Sequence, residues 1–159
     1  MAKESAGLLL YRRRGGGLEL FLVHPGGPFW AGKDAGAWSI PKGEHHPAED
    51  PLAAARREFQ EETGLSVTGT FLPLTPRKQK SGKLVRAFAV EGDADPAVVH
   101  SNTFTLEWPP RSGRTQEFPE VDRAGWFPLD AALEKIHPGQ RGFLEELAAL
   151  LGEAITPQP

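Results

Sequence analysis

The sequence predicts an α/β fold: two extended apolar segments joined by a glycine turn open the chain, a sharply delimited amphipathic helix follows, and helical spacing returns near the C-terminal end. With 159 residues the chain is long enough for one domain with a real core, and the expectation is a single domain over 1–159 with loose ends at about 1–5 and 156–159. Ser5–Arg13 and Leu18–His24 read as strands, and Gly15-Gly16-Gly17 between them is a hairpin signal. His24–Gly36 is rich in glycine and proline and reads as a loop that does not match the phosphate-loop pattern. Ala37–Ile40 reads as a short strand. A helix from Pro51 to Thr63 follows from Asp50 as N-cap, Pro51 at the first helical position and Gly64 after the last turn. Within it Leu52, Ala55 and Phe59 recur at helical offsets and form a core-facing stripe. Val67–Leu74 and Leu84–Val90 read as strands on either side of a Ser81-Gly82-Lys83 turn, and Gly125–Pro128 as a short strand. Leu129–Ile136 and Gln140–Leu151 read as helices, the second carrying Phe143, Leu144, Leu147 and Leu151 at helical spacing. No internal repeat is detected.

Composition narrows the function classes. A formal net charge of −3 with 25% charged residues lacks the basic excess of a duplex nucleic-acid binder. The absence of cysteine removes disulfides and cysteine-ligated zinc from consideration. No apolar run approaches a membrane span, and Met1-Ala2-Lys3-Glu4 lacks the hydrophobic stretch of a signal peptide, so a cytoplasmic protein is expected.

The chemistry lies in the central helix. Glu58, Glu61 and Glu62 stand at i, i+3 and i+4, so their carboxylates converge within one turn beside the apolar stripe. Like charges so close raise one another's pKa, and a divalent cation is the natural compensation. Oxygen-only ligands select Mg²⁺, with Mn²⁺ as the substitute, and Mg²⁺ characteristically takes up substrate phosphate oxygens. A surface helix of mixed acids and arginines is the ordinary meaning of an isolated REFQEE string.

Wider spacing overturns that ordinary meaning. Gly43, Glu49, Arg57-Glu58, Glu61-Glu62, Gly64 and Leu65 together resemble the complete Nudix box, GX5EX7REUXEEXGU, with Phe59 at the aliphatic position as the one soft departure. The resemblance implies an α/β/α sandwich with a mixed sheet and a Mg²⁺-dependent hydrolase in which bridging cations neutralise a diphosphate while an activated water attacks phosphorus. It assigns Glu58, Glu61 and Glu62 as metal-binding acids with the Gly43 carbonyl as a further ligand, and Glu49 as partner of Arg57, which then orients carboxylates. The base is a box glutamate in some relatives and a later acid in others; Glu120, six residues before Trp126, is similar to that later acid, with Glu117 as competitor.

Trp38-Ser39-Ile40-Pro41-Lys42-Gly43 is similar to the lead-in of diadenosine-polyphosphate and diphosphoinositol-polyphosphate hydrolases, which implies substrate contacts from Lys42 and Trp38. Two further branch markers are missing: the only tyrosine, Tyr11, precedes the box, and Pro73 and Pro76 follow it too closely for the downstream proline of ADP-ribose hydrolases. The implied substrate is a nucleoside diphosphate linked to another moiety, nucleoside triphosphates or dinucleoside polyphosphates first and diphosphoinositol phosphates second. A ligand-sensing or scaffold module without catalysis is the alternative class, and the intact acids oppose it. A small-molecule substrate is expected, with no duplex nucleic acid and no membrane; a homodimer is compatible with the sequence but not required by it.

Other polar and aromatic residues read more plainly. Arg77, Lys78, Lys80, Lys83 and Arg86 form a basic hairpin expected to be solvated, as are Arg12, Arg13 and Arg14. His45 and His46 are expected as exposed loop residues. Phe29, Trp30 and Trp108 are available for base stacking, with one of them expected in the core.

Overall fold

Burial on both faces makes the first strand the centre of the molecule. The computed structural model describes residues 4–153, and in it β1 (Glu4–Arg14) is buried without interruption from Ser5 to Leu10. Its side chains alternate between two cores, as strand geometry requires. Ala6, Leu8 and Leu10 join Phe21, Ala55 and Phe59 in one, while Leu9 joins Leu20, Leu22, Phe143, Leu144 and Leu147 in the other. Helices therefore cover both faces: α1 (Pro51–Thr63) on the first, and α2 (Leu129–Lys135) and α3 (Arg141–Leu150) on the second. This is the expected α/β/α sandwich.

The sheet is mixed. β2 (Gly17–Pro25) pairs antiparallel with β1 through a turn in which Gly15 and Gly16 take φ of 58° and 81°, the left-handed values a tight hairpin requires. After β3 (Lys42–His45), β4 (Leu72–Pro73) and β5 (Arg77–Lys78), β6 (Leu84–Glu91) lies parallel to β1. Beyond β7 (Thr103–Glu107) and β8 (Thr115–Pro119), β9 (Val121–Pro128) closes the other side against β2. The order is β4-β6-β1-β2-β9, with β3 pairing the start of β1 and β5 pairing β6. β7 and β8 form a separate two-stranded hairpin.

Several expectations need correction. Ala37–Ile40 makes only isolated bridges, Ser39 with Val23 and Trp38 with Ile136. The strand instead starts after Pro41, which has no amide hydrogen to donate, and runs from Lys42 to His45. Val67–Leu74 pairs only at Leu72–Pro73, because Gly69 turns the chain at φ 148° and the sheet is reached late. The hairpin of β7 and β8 is absent from the expected strands: Thr103–Glu107 does alternate, but the pair is short, no residue in it is buried, and β8 carries Phe118 as its one partly buried residue. α3 starts at Arg141, after a single 3₁₀ turn over Pro138–Gln140. At the amino end, Glu4 and Ser5 are ordered in β1 opposite His45 and Glu44. Residues 1–3 and 156–159, also expected to be loose, lie outside the described residues.

Candidate active site

α1 is fixed at both ends by its own chemistry. Asp50 accepts the Ala53 amide at 2.9 Å, and Gly64, left-handed at φ 73°, donates its amide to Gln60 at 2.7 Å. With Ala54, Ala55 and Phe59 buried against the sheet, rotation about the helix axis is settled, and the acids fall on the flank facing β3. There Gly43 meets Glu58 so closely that a β-carbon would collide with the carboxylate. The Lys42 amide donates to Glu62 Oε1 at 3.2 Å. A helix flank and the start of a strand thus meet at Gly43, Glu58 and Glu62.

Arg57 is the hub of this cluster. Its Nη2 and Nε donate to the two oxygens of Glu49 at 3.1 and 3.2 Å, a bidentate pairing, and its Nη1 donates to Glu58 at 2.9 Å and Glu61 at 3.2 Å. Arg57 thereby pulls the Glu49 carboxyl below the usual range. It cannot neutralise the rest. Burial pushes Glu62 up to about 8, against the opposing pull of the Lys42 amide and ammonium, and Glu58 and Glu120 push it further. Burial and then Glu61 raise Glu58, with Arg57 opposing; partial burial and then Glu61 raise Glu120 as well. Lys42 is lowered by burial, with Glu62 as the main opposing influence.

Glu120 thus raises both Glu58 and Glu62 from outside the helix, and Glu62 and Glu120 line a common cleft. Among the described residues, no three His, Asp or Glu side chains already converge tightly enough to enclose an ion, since Glu58 and Glu61 are turned onto Arg57. The donor chemistry nevertheless fits a hard divalent cation: the ligands are oxygens only, the carboxylates outnumber the one guanidinium, and Gly43 leaves the Glu58 carboxylate its space.

The cleft has a volume of about 330 Å³ and is lined in part by Trp30, Lys42, Glu62, Glu120 and His137. Glu120 is held there by its backbone, its amide donating to Asn102 and its carbonyl accepting from Gly26. Glu117 does not line the cleft; it accepts the Thr103 hydroxyl at 2.7 Å on the outer hairpin.

Lys42 lines the cleft, but Trp38 does not. Its indole is a core group, 4% exposed, whose Nε1 donates to Asp34 at 2.7 Å and whose ring lies edge-on to His24 and Phe127. Trp30 is the aromatic on the cleft wall. Phe29 and Trp108 pack edge to face at 5.6 Å between loop and hairpin. His45 is also corrected: it is buried opposite Glu4, and its Nδ1 bonds the His46 carbonyl at 2.8 Å, because β3 extends through it. His46 is exposed.

The basic hairpin is not uniformly solvated. Arg77 is half-buried over Phe143, 5.7 Å from the ring, and approaches Glu146 at 3.9 Å. Lys83 pairs with Glu44 at 2.6 Å and Arg86 with Glu4 at 3.1 Å, leaving Lys78 and Lys80 exposed. The amino-terminal arginines are paired on the surface, Arg12 with Glu19 and Asp93, Arg14 with Asp93, and Arg13 with Glu153. Sequence reasoning missed Gln79, His137 and Gln140 as cleft residues. The only hint was the His137-Pro138-Gly139 break between two helical segments.

Comparison with known proteins agrees with the geometry. The family model described as NUDIX domain matches residues 1–147. The RNA pyrophosphohydrolase of Brucella anthropi is 29% identical over 163 residues, covering 86% of this chain and 88% of its own. That of Agrobacterium fabrum is 30% identical over 128 residues, covering 70% and 69%. Among solved structures, a C. elegans Ap4A hydrolase binary complex superposes with a TM-score of 0.67 at 23% identity over 94% of this chain and 98% of that one. The NUDIX domain of Shewanella oneidensis NrtR, complexed with ADP ribose, does so with 0.63 at 14% identity over 95% and 89%. Those two likenesses concern the fold.

Proposed function

The chain belongs to the Nudix family, and from that membership we propose that it is a Mg²⁺-dependent pyrophosphohydrolase that cleaves a phosphoanhydride of a nucleoside diphosphate linked to another moiety. The observation that carries the proposal is the meeting of Glu58 and Glu62 on α1 with Gly43 and Lys42 on β3, beside a cleft that Lys42, Glu62 and Glu120 line. Such a concentration of partly buried acids is costly in an ordinary surface helix and useful where charge must be delivered to a cation.

In this reading Glu58, Glu61, Glu62 and the Gly43 carbonyl hold the ion. A bound divalent cation neutralises phosphate charge and makes phosphorus more electrophilic. Glu49 keeps Arg57 in place through its bidentate pairing when Glu58 and Glu61 turn away to their ligand role. Lys42 offers its ammonium to a phosphate oxygen. Glu120, raised in pKa and lining the cleft with Glu62, takes the proton of the attacking water, and the leaving group departs as a phosphate. Trp30 provides the flat surface for a nucleobase.

The relatives named RNA pyrophosphohydrolase favour a phosphoanhydride carried by RNA, and the box with its lead-in favours a nucleoside triphosphate or a dinucleoside polyphosphate. A diphosphoinositol phosphate is the second substrate reading, favoured by the lead-in Trp38-Ser39-Ile40-Pro41-Lys42-Gly43. The test is chromatographic identification of products after incubation with Mg²⁺ and triphosphorylated RNA, nucleoside triphosphates, diadenosine polyphosphates, ADP-ribose or diphosphoinositol phosphates, beside Glu62→Gln. Cleavage of one class by wild type alone supports the reading. Equal cleavage by both proteins refutes the acid assignment, and no cleavage of any class moves the chain to the sensing alternative.

A further inference from the structure

The lining of the cleft is chemically mixed, and its acidic part adjoins Lys42, whose amide donates to Glu62 at 3.2 Å. Glu62 and Glu120 present carboxylates, while Lys42, Gln79 and His137 present nitrogen donors. His137 is the most constrained of these. Its backbone amide donates to the Trp38 carbonyl at 2.7 Å, its carbonyl accepts the Gln140 amide at 2.8 Å, and its Nδ1 accepts the Gly139 amide at 3.0 Å. An imidazole whose Nδ1 is an acceptor carries its proton on Nε2. None of the described residues bonds that Nε2, and the residue is exposed to the cleft. Gln79 packs against the same turn, with its Cγ 3.6 Å from where a β-carbon of Gly139 would stand, and its amide likewise has no hydrogen bond from another described side chain. Gln140 braces the arrangement from behind: buried at 2% exposure, it accepts the Ile40 amide at 3.0 Å and donates to Ser39 at 3.0 Å.

We propose that His137 and Gln79 form a phosphoryl subsite that binds, through the Nε2–H and the side-chain amide N–H, the phosphate group lying away from the acids, with Lys42 between the two ends. This rests on the pyrophosphohydrolase reading of the same cleft and adds residues outside the box. A diphosphate bound so has one phosphoryl group toward Glu58, Glu61 and Glu62 and the other against neutral and cationic donors. The two halves of the anhydride are thereby distinguished before reaction, which fixes which phosphorus faces the water. His137 and Gln79 are specificity-determining residues here; they take no part in proton transfer.

The experiment measures calorimetric binding of methylenediphosphonate, a non-hydrolysable diphosphate, to the whole protein saturated with Mg²⁺. His137→Asn keeps an oxygen that accepts the Gly139 amide yet withdraws the donor at the Nε2 position, and His137→Gln restores a donor at similar reach. The subsite predicts about tenfold weaker binding for His137→Asn, in line with one hydrogen bond to a charged group. It predicts a comparable loss for Gln79→Leu and recovery toward wild type for His137→Gln, all with unchanged melting temperature. Diphosphonate binding that is equal in wild type, His137→Asn and Gln79→Leu overturns the subsite. So does a wild-type protein that binds Mg²⁺ but no diphosphonate. Failure of the wild type to bind Mg²⁺ at all overturns the underlying pyrophosphohydrolase reading instead, which keeps the two failures apart.

Discussion

Glu62→Gln separates the cost of a buried acid from its use. Glu62 titrates near 8 in the folded protein against an ordinary 4.5. Below pH 4.5 both folded and unfolded chains carry the proton, and the carboxyl costs nothing. Between pH 4.5 and about 8 only the folded chain holds it, so without divalent ions stability falls steadily as pH rises, and above about 8 the full cost is present. At 1.36 kcal/mol per pH unit the cost is roughly 3 kcal/mol at pH 7 and roughly 5 kcal/mol once Glu62 is fully ionised. Glutamine has the same shape, still accepts the Lys42 amide through its carbonyl and carries no charge, so this pH-dependent penalty disappears. For a domain of this size the relative gain is a melting-temperature difference growing by about 10 °C from pH 5 to pH 9. The assay is thermal unfolding of both proteins in chelator across that range, alongside turnover with Mg²⁺, which the same substitution removes. A wild-type-minus-variant difference that stays constant with pH refutes the reasoning that Glu62 is held protonated by burial.

Three further outcomes follow from the geometry. Gly43→Ala drives a β-carbon into the Glu58 carboxylate and is expected to reduce turnover at least tenfold while lowering stability by about 1–3 kcal/mol, measured by kinetics and denaturant unfolding; wild-type activity in that variant contradicts the close packing. Glu120→Gln is expected to lower kcat by about 10²–10³ and to remove the acid limb of its pH profile, whereas Glu117→Gln leaves both unchanged; the reverse pattern reassigns the base. Phe59→Ala is expected to cost about 3–5 kcal/mol in urea unfolding, because the ring is fully buried between α1 and Phe21; a loss below 1 kcal/mol means the core closes over the gap.

How far the sequence carried the site depends on the range of the forces involved. Asp50, Pro51 and Gly64 act within a turn or two, so α1 was legible to the residue. The acids on its flank were legible because helix geometry alone brings i, i+3 and i+4 together. Glu120 required the chain to return from β8, a placement made by the backbone of Gly26 and Asn102 and by no local pattern. Trp38 misled because a lead-in motif does not say which way an indole points, and Asp34 and Phe127 draw it into the core. The short, mostly exposed hairpin of β7 and β8 lacks the long buried runs that mark β1 and β2, although Thr103–Glu107 alternates. His137 and Gln79 reach the cleft only through the packing of β5 and the turn before α3, which is tertiary information.

The most direct test of the account is metal-linked melting of the wild-type protein and Glu62→Gln in Mg²⁺ and Mn²⁺. Wild type is predicted to gain about 2.7 kcal/mol at a hundredfold excess over the dissociation constant, a rise of roughly 5–10 °C, with the gain much reduced in the variant. No shift in wild type at millimolar concentrations of either ion contradicts the claim that these acids form a divalent-cation site.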